Sequence, residues 1–155
     1  MSTPRRILAA LACAVVGGGV LTGCSSATYT LKAGDCFTAS DDILTGSADI
    51  ADVDTVSCTR SHNSEVVGSH VVTDSSFPGT ETLVTRAQTL CQKDFLDYVG
   101  IDYTKSAYDL YPLIPTKDTW TASSARSITC VALALPPIDH SLKGQGEAAA
   151  TRATR

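Results

Sequence analysis

Residues 81–99 read ETLVTRAQTLCQKDFLDYV, and the spacing of their apolar side chains decides the fold. Leu83, Ala87, Leu90, Cys91, Phe95 and Tyr98 recur at helical intervals and form one stripe. Thr80 is placed to cap this helix, and Gly100 to end it in a left-handed conformation. Residues 127–135 read SITCVALAL, an almost unbroken apolar run expected of a central strand covered on both faces. A one-striped helix must lie on a partner, and such a strand must lie within a sheet. Shorter strand-like stretches flank them: residues 31–37, 54–58 and 64–73, with Gly68 marking a bulge, and an aromatic strand 108–111 inside 105–114, ended by Pro112 and Pro115. The expected fold is α+β: a small disulfide-bonded domain, an antiparallel or mixed sheet of about four to five strands with one main helix packed on it.

The domain is expected over residues 31–137, within a chain of 155. Residues 38–52 carry Asp41, Asp42, Asp49 and Asp52 and read as an acidic surface loop. Residues 116–125 read as a polar connection around Trp120. Residues 138–155, beginning IDHSLKGQGEAAA, lack a core-forming pattern and are expected to be a flexible tail.

The amino-terminal residues 1–23 read as an export signal. Arg5-Arg6 precede an apolar run from Ile7 to Val20 that is too short to span a bilayer and holds three consecutive glycines, Gly17 to Gly19. Leu21-Thr22-Gly23-Cys24 then resembles the lipobox of bacterial lipoproteins, which implies a diacylglyceryl group on Cys24. Residues 24–30 follow as a tether. The protein is expected on the outer face of the cell membrane, with the membrane as one partner through that anchor. Without Arg5 and Arg6 the chain keeps 10 basic and 16 acidic residues, a charge of −6. That balance argues against nucleic acid, whose phosphates need clustered Lys and Arg.

Cys36, Cys58, Cys91 and Cys130 remain in the body, an even number suited to an oxidising compartment. Three pairings are open to four cysteines. The uncrossed set, Cys36–Cys58 and Cys91–Cys130, is preferred. No C-x-x-C pair is present to suggest zinc or thiol catalysis, so the cysteines read as structural.

Gly34-Asp35-Cys36, Val56-Ser57-Cys58, His62-x-x-Glu65-Val66, the helical Cys91, Tyr111-x-x-x-Pro115, Trp120, Arg126 and Cys130 occur in an order that resembles the septum-formation domain of actinobacterial envelope proteins. Ser61 stands where that family usually has a Pro before the His, and Ser124-Ala125 replace its Gly before the Arg. The resemblance implies a role near cell division or wall synthesis, with envelope proteins or wall polymers as partners, and brings no catalytic residues.

Arg60, His62 and Glu65 form the densest polar cluster. Two readings stand beside each other: a disulfide-braced turn, or, with His70, a metal site of two imidazoles and a carboxylate serving hydrolysis. Trp120, with Tyr103, Tyr108 and Tyr111, is either core or a binding platform, and Arg126 is expected to lie against the Trp or to bind an acidic loop residue. No G-x-S-x-G, Gly-rich phosphate loop or D-x-D-x-D-G loop occurs, so neither catalysis nor a cofactor is expected.

Overall fold

The computed structural model describes residues 31–44, 53–121 and 126–150. The signal, Cys24, the tether, Asp49, Asp52, Ser124-Ala125 and the last five residues lie outside them. Five strands form one antiparallel sheet: β1 Cys36–Phe37, β2 Thr55–Val56, β3 His62–Val71, β4 Asp109–Leu113 and β5 Ser127–Ile138, in the order β2-β1-β3-β5-β4. A short helix α1, Asp41–Leu44, lies in the acidic segment, and the long helix α2 is Thr80–Val99.

Alternation along β5 builds two cores. Ile128, Cys130 and Ala132 face α2, whose Leu83, Ala87, Cys91, Phe95 and Val99 are buried against them. Val131 points the other way and packs with Leu31, Phe37, Ala39 and Val66. The apolar run thus occupies a strand covered on both faces, as its composition requires.

Both disulfides follow the uncrossed pairing, Cys36–Cys58 and Cys91–Cys130. The second joins α2 to β5 through the middle of the core. The register of β3 on β5 shifts between Val66 and Gly68, where the glycine had suggested a bulge.

Four expectations are corrected. The cap of α2 is Gly79 at φ 94°, with no side-chain cap bond, and Thr80 is the first helical residue. The first strand shrinks to Cys36–Phe37, because Ala33 and Gly34 turn the chain just before it. Pro112 lies inside β4, which is tolerable because β4 is an edge of the sheet and can face its missing donor outward.

The largest correction concerns the carboxyl end. β5 continues through Pro136 and Pro137 to Ile138, which pairs with His62. The prolines sit where β5 slips against β3 between Leu133 and Ile138, an irregular stretch that needs no regular ladder donors. Beyond it the chain turns back over α2. Leu142 and Ala149 are fully buried, Gly144 donates to the Tyr98 carbonyl at 2.8 Å, and Ala107 donates to the Ala149 carbonyl at 2.9 Å. Residues 139–150 are therefore part of the packed unit. No apolar rhythm announced this, because only two side chains anchor a segment held otherwise by polar bonds.

Gly68 makes room rather than an unusual turn. A Cβ there would lie 1.9 Å from Asp94 Oδ2 and 2.8 Å from Asp94 Cβ, so the α2 side chain fills the space a methyl would take. Asp94 in turn holds His70 Nε2 at 2.5 Å. Gly68→Ala is expected to expel Asp94 and cost about 1–3 kcal/mol by overpacking. In an Asp94→Gly background, which removes the Cβ as well as the carboxylate, the same change should cost clearly less, as read by urea unfolding of the four chains.

Candidate functional site

The polar cluster of residues 60–65 lies where β3 begins, and β3 carries it inward. Glu65 is 1% exposed, on the strand between β1 and β5. Its Oε1 accepts from Tyr98 Oη and Ser141 Oγ, each at 2.6 Å, and its Oε2 accepts from the Leu142 backbone N–H at 2.8 Å. Among the described residues its partners are these dipolar donors and no cation. A buried carboxylate held by well-aligned donors is satisfied without a counter-charge. One side chain thereby joins β3, α2 and the carboxyl-terminal segment.

The charge is felt around it. Burial, and then the hydrogen bond to Glu65, pushes the Tyr98 phenol up to about 12. The Tyr108 phenol is raised by burial first and by the Glu65 charge second. Both phenols are therefore held in their neutral form.

His62 is also 1% exposed. Its Nδ1 lies 2.7 Å from the Arg60 carbonyl, which can only accept, so Nδ1 carries a hydrogen. Its Nε2 is buried with no hydrogen-bond partner. Arg60 itself is exposed. Next along β3, Asn63 clasps Ala39 through both amide atoms, at 2.7 and 3.0 Å, and ties the amino-terminal segment to the sheet.

The metal reading does not survive this geometry. His62 and Glu65 come together, with an imidazole nitrogen, a carboxylate oxygen and the sulfurs of Cys36 and Cys58 within 4.8 Å of one another. Those sulfurs are bonded to each other, however, and are not thiolate ligands. His70 sits at the opposite end of β3 and is engaged by Asp94, so the trio His62, Glu65 and His70 is not assembled.

Trp120 is core, at 6% exposure, with Phe77 edge-on at 5.6 Å. Arg126 places its guanidinium 4.9 Å from the indole centroid and donates from Nε to the Trp120 carbonyl at 2.8 Å. The Arg thus covers the Trp as expected, and the indole offers no open platform. Sequence reasoning missed Tyr98, Ser141 and Leu142 as partners of Glu65. Their signal was absent, since Tyr98 read only as part of a helical stripe and the other two as tail.

No curated protein and no solved structure matches the chain. The model of the septum formation family does match, over residues 33–155, a span that takes in both disulfides, Glu65 and the carboxyl-terminal segment that satisfies it. The chain belongs to the septum formation family.

Proposed function

We propose that this protein is a lipid-anchored envelope protein on the outer face of the membrane, acting as a non-catalytic interaction module in septum formation or wall processes. Its family supports the septum-related part. The observation that carries the non-catalytic part is Glu65. The one buried carboxylate of the polar cluster is occupied by three internal donors, and His62 is bonded to the backbone of its own turn. Residues that a hydrolase would present to a substrate are here holding elements together. A catalytic centre built on His62 would be shown by turnover of a wall-derived substrate that disappears in His62→Ala, and this would overturn the reading.

The anchor rests on Leu21-Thr22-Gly23-Cys24. No helix among the described residues is long and apolar enough to cross a membrane. Cys24→Ala is expected to abolish incorporation of labelled fatty acid and to leave either released protein or an unprocessed precursor in membrane fractionation. Lipid labelling that persists in this variant would refute the anchor. Partners of the wild-type chain are sought by detergent extraction of membranes and co-purification, with the Cys24→Ala chain as comparison.

A further inference from the structure

The two disulfides sit in unlike surroundings. Cys91 and Cys130 are 1% and 0% exposed, sealed between α2 and β5. Cys36 is 0% exposed, but its partner Cys58, just beyond β2, is only half-buried. Beside this bond lies His62, whose buried Nε2 has no partner. We propose that Cys36–Cys58 is a thiol-exchange site, at which an external thiolate attacks Cys58 and His62 delivers the proton to the departing Cys36 sulfur. This goes beyond the interaction reading and is compatible with it, because the exchange opens one bond of this chain once and turns over no wall-derived substrate.

Access sets the direction. Exchange depends on which sulfur the thiolate can reach, and Cys58 is the half-buried member of the pair while Cys36 is sealed. A new bond forms between the Cys58 sulfur and the incoming sulfur, the Cys36–Cys58 bond breaks, and the electron pair leaves on Cys36 Sγ. That sulfur departs into a buried space shared with the Glu65 carboxylate, within 4.8 Å. Two adjacent anions out of water repel strongly, so the step needs a proton. Nδ1 of His62 is committed to the Arg60 carbonyl, which leaves the buried, unpartnered Nε2 as the ring position that can hand a proton to the departing sulfur, supplied by water that enters as β1 and β2 part.

A monothiol stops at the mixed disulfide on Cys58. A dithiol goes further: its second thiolate attacks its own sulfur in the mixed disulfide, Cys58 leaves as a thiolate and is protonated by water, and the dithiol is oxidised. The fold permits the change locally, because β1 and β2 share only the pairs Cys36–Val56 and Phe37–Thr55.

The test uses the full chain, folded, with glutathione in one arm and a C-x-x-C protein dithiol in the other, each quenched, alkylated and mapped by mass spectrometry. The expected result is opening of Cys36–Cys58 at least about tenfold faster than Cys91–Cys130, with glutathione found on Cys58. Glutathione on Cys36, or equal rates for both bonds, would overturn it. Activity with glutathione alone or with the protein dithiol alone identifies the natural source of the thiolate. His62→Gln should slow opening of Cys36–Cys58 by about tenfold or more while leaving Cys91–Cys130 unchanged. An unchanged rate removes His62 from the step. Should both bonds accelerate together in this variant, the position of the adduct in the wild-type chain still decides.

Discussion

Glu65→Ala is expected to lower the stability of the domain by about 3–5 kcal/mol, a large part of the roughly 5–15 kcal/mol available to a small domain. The loss exceeds that of an ordinary hydrogen bond because three donors are stranded at once. Tyr98 Oη and Ser141 Oγ, both part-buried, and the buried Leu142 N–H keep their positions near a vacated site, and a donor left unpaired away from water costs about 1–3 kcal/mol. Relaxation of the carboxyl-terminal segment returns part of that. Urea unfolding monitored by fluorescence of Trp120, the single tryptophan, reads the loss. Glu65→Gln should fall between the two, since the amide preserves the shape but turns one acceptor into a donor. A change below about 1 kcal/mol in Glu65→Ala would show that the buried carboxylate is not the joint described above.

The same variant has a spectroscopic readout. With Glu65 in place Tyr98 resists ionisation up to about 12. Because the folded value is raised, the contribution of the neutral phenol to stability is intact below the ordinary value of about 10 and is lost as pH climbs from there to the folded value. In Glu65→Ala the hydrogen bond and the charge disappear while burial stays, so the transition should move down yet remain above the ordinary range. Alkaline absorbance titration follows it, with Tyr98→Phe identifying the component.

The second large effect is expected from Cys91→Ala with Cys130→Ala. On the chain-entropy model, opening a loop of about 40 residues removes about 4 kcal/mol. Both sulfurs are buried, so voids left in the core add to this. The damage should spread through the whole domain, because the bond joins α2 to the strand between β3 and β4. Amide exchange would show protection falling along α2 and β5 together. Removing Cys36 and Cys58 instead releases a loop of about 23 residues, about 3.4 kcal/mol on the same model. Its exchange signature should be confined to β1, β2 and the start of β3. Identical signatures for the two pairs would contradict the layering described here.

What the sequence disclosed and what it withheld have separate physical causes. The stripe from Leu83 to Tyr98 and the run from Ile128 to Ala134 carry period and composition, and these report burial, although Leu135 at the end of the run is exposed. α2 and β5 were accordingly legible, and with them the fold class. Gly79 as the cap was not, since Thr80 offers the better side chain and only backbone geometry decides. The carboxyl-terminal segment was invisible for another reason. Leu142 and Ala149 are two isolated apolar residues among polar ones, and Ser141 is a serine like any other until Glu65 is found opposite it. Polar complementarity between residues so distant in the chain leaves no periodic trace. The cluster around Arg60, His62 and Glu65 was seen in sequence, but its purpose depends on partners that sequence does not align.

Glu65 also sets an order of events during synthesis. Tyr98 emerges soon after β3, but Ser141 and Leu142 follow 76 and 77 residues behind Glu65. Until they arrive, the carboxylate must stay in water or occupy its site with one donor of three. Contacts of such long range close late and slow the search for the native state. Polymerisation of the chain therefore runs well ahead of its consolidation: β1, β2, β3 and α2 are made first, but β5 and the donors that satisfy Glu65 arrive together near the end of the described residues.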